Sequence, residues 1–211
     1  MTQERPILFS AEMVRAILRE ESPKTQTRRV VTLREFGVTD TPGYDFRFRD
    51  RRLFWHNYRA ADFIARRCPY GKPGDRLWVR ETFCVVDDTE HGGERWVDYR
   101  ATPRYSEHHP AGWDSAPNDA EALKWKPSIH MPRWASRITL EVTDIRVERV
   151  QDIGTLDAMA EGAAPLPVVG GTASYTHGFR VLWDSINAKR GYGWDVNPWC
   201  WVVTFRRLGA A

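Results

Sequence analysis

Two periods of apolar recurrence alternate along this chain of 211 residues. Met13, Val14, Ile17 and Leu18 repeat at the spacing of one helical face, and Ser10 stands where a side-chain oxygen caps the first turn. This helix must end before Pro23, because the residue preceding a proline avoids the helical region. Phe179, Leu182, Trp183 and Ile186 predict a second helix, and Thr155 to Ala160 a short third one stopped by Gly162. Strand-like stretches lie between them. Ile7-Leu8-Phe9 is a short apolar run, Thr25 to Val31 is rich in β-branched residues, and Arg76 to Val86 alternates after the turn Pro73-Gly74-Asp75. Trp96 to Arg100 is expected to pair with that strand as a hairpin. Ser136 to Val147 sets Ile138, Leu140 and Val142 on one face, and Trp199 to Leu208 alternates aromatic with smaller residues. No segment repeats, so a solenoid is excluded. Many short strands with a few helices, not strictly alternating, predict an α+β fold: a small mixed β-barrel flanked by helices. Residues 1–211 read as a single domain, with loop insertions near 40–60, 87–124 and 163–176.

Composition narrows the functional classes. No run of 18 apolar residues occurs, so no transmembrane helix is expected, and the opening Met-Thr-Gln-Glu-Arg lacks the apolar core of a secretion signal. Cys68, Cys84 and Cys200 are odd in number and widely spaced, which argues against a disulfide framework and for a cytoplasmic address. The histidines offer only His108-His109 as neighbours, so the spacings of a metal site are missing, and no metal or cofactor is expected. The formal charge is +3, yet residues 1–83 carry a net +6 and the remainder a net −3. A basic face toward a polyanion and an ordinary solvated surface both fit that asymmetry.

Three segments concentrate reactive side chains. In Lys24-Thr25-Gln26-Thr27-Arg28-Arg29, strand alternation separates Thr27 and Arg29 from Gln26 and Arg28. Lys24 sits at the bend, where an amine near the Thr27 hydroxyl would make an activated nucleophile, although a basic edge strand has the same pattern. In Asp75 to Phe83, Trp78 and Arg80 share a face, suited to stacking a base and holding a phosphate, or to packing and ion pairing. In Trp125 to Trp134, two prolines restrict the backbone around Ser128 and His130, with Arg133 and Trp134 beside them. Ser128 and His130 stand too close in one extended segment for a catalytic pair, and no Gly-x-Ser-x-Gly elbow exists.

Taken in order, these segments resemble the ASCH domain of the PUA-like superfamily, and in particular its larger phage and prophage forms. The resemblance rests on Lys24 to Arg29, Pro73-Gly74-Asp75, Lys126 to Arg133, Ala158-Met-Ala-Glu161-Gly162 and the closing aromatic strand. It implies a small barrel with a cleft for RNA or a modified nucleoside, in a bacterial or phage-infected cytoplasm. Some members are amidohydrolases of N4-acetylcytidine. By that likeness Lys24, Thr27 and Glu161 would be catalytic: Thr27 attacks the acetyl carbonyl, Lys24 is the base, and Glu161 serves the leaving amine. Arg28, Arg29, Trp78, Arg80, Ser128, His130, Arg133 and Trp134 would contact the substrate. Ser22-Pro23 stand where the family carries Gly and a basic residue, and Pro23 fixes an angle that Gly leaves free. A non-catalytic RNA- or DNA-binding module and a ribonuclease are the alternatives within the same resemblance.

Overall fold

The computed structural model describes residues 2–87, 95–103, 125–168 and 170–209. Its centre is a five-stranded mixed sheet in the order β1 (Glu4–Leu8), β6 (Arg76–Arg80), β9 (Thr139–Arg149), β10 (Trp199–Arg207), β2 (Gln26–Val30). β1 runs parallel to β6, and the other neighbours are antiparallel. β10 lies inside the sheet, between β9 and β2, and its alternation is apolar on both faces: Cys200, Trp201, Val202, Val203 and Phe205 are all buried. Trp201, Val203 and Phe205 face the main core, with Leu77, Val79, Leu140 and Val142. Cys200 faces a second core under α3 (Thr155–Ala160) and α4 (Tyr175–Asn187), where Phe179 and Trp183 fill the space.

The expected barrel is not formed. The sheet is open, with β1 and β2 as its two edges, and no strand pairing joins them. The reason lies in the partners β2 takes on entering the sheet. Lys24 N donates to Ala16 O at the end of α1 (Ala11–Leu18), and Thr25 N donates to Ala160 O of α3. The residues that lead into β2 are thus taken by the two helices and not by β1. Only a side chain spans the gap, Arg29 Nη2 donating to Leu8 O at 2.6 Å.

Several local expectations are met with altered bounds. Ser10 caps α1 by accepting from Met13 N, and α1 buries Val14 and Ile17. The predicted strand from Arg76 to Val86 divides in two. β6 ends at Arg80, and β7 (Phe83–Asp87) leaves the main sheet to pair with β8 (Arg95–Tyr99). The break falls at Glu81, whose buried carboxylate receives a fork from Arg137 at 2.9 and 3.0 Å. Burial raises the Glu81 carboxyl, against the pull of Arg137. α4 begins at Tyr175, earlier than Phe179, with Ser174 as its cap. The loop expected near 87–124 falls largely on residues 88–94 and 104–124, which lie outside the described residues.

Residues expected as an insertion near 40–60 instead contain a three-stranded antiparallel sheet: β3 (Gly37–Val38), β4 (Phe46–Arg49) and β5 (Trp55–Tyr58). Phe46 and Phe48 point inward while Arg47 faces solvent. α2 (Ala60–Arg67) follows and buries a single residue, Phe63. Phe63 stacks on Trp201 at 4.9 Å and on Phe36 at 4.8 Å, and so joins the small sheet to the large one. Truncating a buried Phe costs about 3–5 kcal/mol. Phe63→Ala should therefore lose about that much in urea unfolding, whereas Phe54→Ala on the exposed turn should change stability by less than about 0.5 kcal/mol.

Candidate functional site

β2 presents its side chains alternately to the two cores, and this parity organises the site. Gln26 and Arg28 face α3, whereas Thr27 and Arg29 face the main core. Lys24, one turn of the pleat earlier, also points toward α3. It is 2% exposed, and Glu161 is 3% exposed. Lys24 Nζ donates to Glu161 Oε2 at 2.8 Å and to the Glu161 carbonyl at 2.6 Å. Gly162 makes that approach possible. It ends α3 with φ +77, and a Cβ there would lie 3.0 Å from Ala16 Cβ and 3.3 Å from Lys24 Cβ.

Around the pair extends a balanced set of charges. Arg28 Nη1 lies 3.5 Å from Glu161 Oε1, and its Nη2 reaches Asp157 Oδ2 at 2.9 Å and Glu148 Oε2 at 3.1 Å. Arg146 contacts Asp157 Oδ2 at 2.8 Å and Glu148 Oε1 at 2.5 Å. Gln26, with its amide oriented by its neighbours, donates to Asp157 Oδ1 and accepts from Arg28 Nη1. Three cations thus meet three carboxylates. Burial pulls the Lys24 ammonium below its ordinary value, and Glu161 only partly restores it. Burial raises the Asp157 carboxyl, but Arg28 and Arg146 together outweigh it and hold the group below the usual range.

A cavity of about 450 Å³ opens beside this network, against the edge of β2. Its wall includes Arg28, Arg29 and Glu161 from the β2–α3 side, Tyr70 from the chain after α2, and Phe179 and Trp183 from α4. Arg67, Arg190 and Trp201 complete the part that bears on charge and stacking. Of these, the sequence reading singled out Arg28, Arg29 and Glu161, and it treated Trp183 and Trp201 as core. Both are 3% exposed and do fill the core, while their remaining surface borders the cavity. Nothing local marks Tyr70, Arg67 or Arg190, which the packing of α2 and α4 brings to the same place.

The eleven residues expected at the site therefore divide. Lys24, Arg28 and Glu161 come together; Arg29 joins them at the cavity from the other face. Thr27 is buried on that other face, at the register position of Val203, and its hydroxyl bonds to no described residue. The remaining six gather around β6. The guanidinium groups of Arg80 and Arg133 lie over the Trp78 ring at 5.5 and 6.0 Å, and Arg133 Nε pairs with Glu4 at 3.0 Å. Arg80 also donates to Ile129 O. Ser128 and His130 lie on one 3-10 turn, and Trp134 is 69% exposed. Among the described residues, no hydrogen bond or ion pair joins this set to the Lys24–Glu161 pair.

Among the described residues no group of three or more His, Cys, Asp or Glu is arranged to hold a metal ion, and no helix is long and apolar enough to cross a membrane. The carboxylates that cluster, Glu148, Asp157 and Glu161, are each met by arginine or lysine. Cys68, Cys84 and Cys200 are buried and unpaired, and burial raises their thiols to about 11, 11 and 12. They are poor nucleophiles.

Removing one member of a buried ion pair costs about 3–5 kcal/mol, whereas an apolar replacement of both is nearly neutral. Glu161→Leu should lose stability on that scale in urea unfolding, and Lys24→Met combined with Glu161→Leu should regain most of it. Asp157 adds a pH dependence. Its folded value lies below the ordinary 3.8, so its contribution is present above that pH and is lost as pH falls toward the folded value. Asp157→Asn should lower Tm at neutral pH and flatten the decline of Tm below pH ~4. No protein-family model, curated protein or solved structure matches this chain.

Proposed function

We propose that the chain binds a nucleoside, free or within RNA, in the cavity beside β2. The observation that carries this reading is the lining itself: Tyr70, Phe179 and Trp183 meet Arg28, Arg29 and Arg190 around one concave space. Aromatic side chains stack on a base of any sequence, and arginine adds planar, charge-assisted contacts. The volume falls in the range of cavities that take drug-sized ligands, about 300–1,000 Å³. The resemblance of Lys24 to Arg29 and of Ala158 to Gly162 to the ASCH domain supports the same class of ligand.

Deacylation of an N4-acylated pyrimidine is the second reading, favoured by Glu161 at the cavity wall with Lys24 buried behind it. In this reading water attacks the acetyl carbonyl and gives its proton to Lys24, which holds a proton less tightly than usual; acetate forms, and the proton passes by way of Glu161 to the leaving exocyclic amine. The orientation of Thr27 away from the pair weighs against attack by its hydroxyl.

Quenching of tryptophan fluorescence by cytidine, by N4-acetylcytidine and by a short RNA tests binding. Saturable quenching weakened about tenfold in Tyr70→Ala is expected from the loss of one stacking contact. Absence of saturable quenching by all three ligands would overturn the reading. Release of cytidine from N4-acetylcytidine, lost in Lys24→Met and kept in Thr27→Val, would assign the chemistry to the pair. Binding without release leaves the chain a binding module.

A further inference from the structure

Four arginines line this cavity, and three of them meet no carboxylate among the described residues. The network sets carboxylates against both terminal nitrogens of Arg28 and sets Lys24 and Arg28 against Glu161, so their charges are met, although Arg28 Nε has no partner. Arg29, Arg67 and Arg190 form no ion pair among the described residues. Arg67 lies over Phe48 and Tyr58 and donates to the Tyr58 hydroxyl at 2.9 Å. Arg190 is exposed and reaches only Asn187 Oδ1, at 3.4 Å. Arg29 is half-buried, with only part of its guanidinium shut from solvent. Its ring contact is Phe9 at 4.9 Å, and its single hydrogen bond goes from Nη2 to Leu8 O. Its Nε is shut away from solvent with no partner, and Nη1 makes no hydrogen bond.

A half-buried guanidinium whose Nε is shut from water without a partner loses part of its hydration, and no counter-charge among the described residues makes up for it. Burial indeed pulls the Arg29 guanidinium below its ordinary value; Tyr70 and Glu161 oppose this weakly, and the charge of Arg190 adds to it. The groups that face Arg29 thus include a second cation and no free carboxylate. The deficit is of negative charge.

We propose that Arg29, with Arg190 at the rim, anchors the phosphate of a mononucleotide whose base lies against Tyr70, Phe179 and Trp183. The inference rests on the nucleoside reading for the base and stands on Arg29 alone for the phosphate. A guanidinium fork matches the oxygens of a phosphate monoester, and charge-assisted bonds of this kind are the stronger ones. Glu161, the carboxylate on the same wall, does not repel the anion, since Lys24 and Arg28 already balance it. The cavity, at about 450 Å³, has room for one nucleotide.

Calorimetric titration with cytidine, cytidine 5′-monophosphate, inorganic phosphate and a short RNA lacking a terminal phosphate tests it. The monophosphate should bind at least tenfold tighter than cytidine at low salt, and that advantage should vanish in Arg29→Gln and shrink in Arg190→Gln. The readout is the ratio of monophosphate to cytidine affinity within each variant, so that any loss of base contacts from either arginine cancels. Because Arg29→Gln alters a half-buried position, its Tm and circular dichroism are recorded alongside; Arg190→Gln, at the surface, carries the test if Arg29→Gln fails to fold. Equal affinity for cytidine and its monophosphate, or an advantage that survives both substitutions, would overturn the phosphate anchor and leave the nucleoside reading intact. Inorganic phosphate binding that needs Arg29, with no binding of either pyrimidine, would support the anchor and overturn the nucleoside reading. RNA binding tighter than the monophosphate would overturn the preference for a mononucleotide.

Discussion

Burying charge is possible here only because it is balanced almost group for group. Lys24, Arg28 and Arg146 are drawn against Glu148, Asp157 and Glu161, and the contacts among them tie together β2, β9 and α3. Each group taken alone would oppose folding by several kcal/mol. Together they fix where α3 sits on the sheet, and the position of α3 decides where Glu161 lies and how α4 can pack. The second core and one wall of the cavity are consequences of that electrostatic clamp. A close backbone approach reinforces it: a Cβ at Gly178 would lie 1.8 Å from Ala164 O, so α4 and the chain leaving α3 meet without a side chain between them.

Features encoded by local alternation were legible in the sequence. The Ser10 cap, the apolar face of α1 and the alternation of β9 and β10 each express a period that neighbouring residues carry themselves. The alternation also separated Thr27 from Gln26 and Arg28 before any contact was known. The break at Glu81 was hidden because the alternating pattern runs through it, and what ends β6 is a fork from Arg137, 56 residues away. β4 and β5 were hidden for the opposite reason. Each has four residues, and their arginines and exposed aromatics have the composition of a surface loop. Whether a sheet closes depends on its two edges meeting, which no single segment encodes. The partnership of Lys24 and Glu161, separated by 137 residues, came from resemblance and not from periodicity.

Arg28 and Arg29 show how far a one-residue step on a strand separates roles. They are adjacent and identical in chemistry, yet one is absorbed into a network of carboxylates and the other stands half-buried without one. A shift of register by one would exchange them, leaving the carboxylates of α3 unmet and turning the balanced guanidinium toward Leu8. Pairing of β2 with β10 over five residues, Gln26 opposite Thr204 through Val30 opposite Cys200, holds the register.

An open sheet also differs from a barrel in how the molecule meets other copies of itself. Closure removes edges, whereas this sheet keeps two, and unpaired edge amides are a template for strand addition and aggregation. Each edge is blunted by its own sequence. β1 is five residues long and holds Pro6, which offers no amide proton, beside the charged Glu4 and Arg5. β2 is equally short, and the donors just ahead of it are spent on helix carbonyls. Colloidal stability, which a barrel gains from topology, rests in this chain on one proline, a few charges and the brevity of two strands.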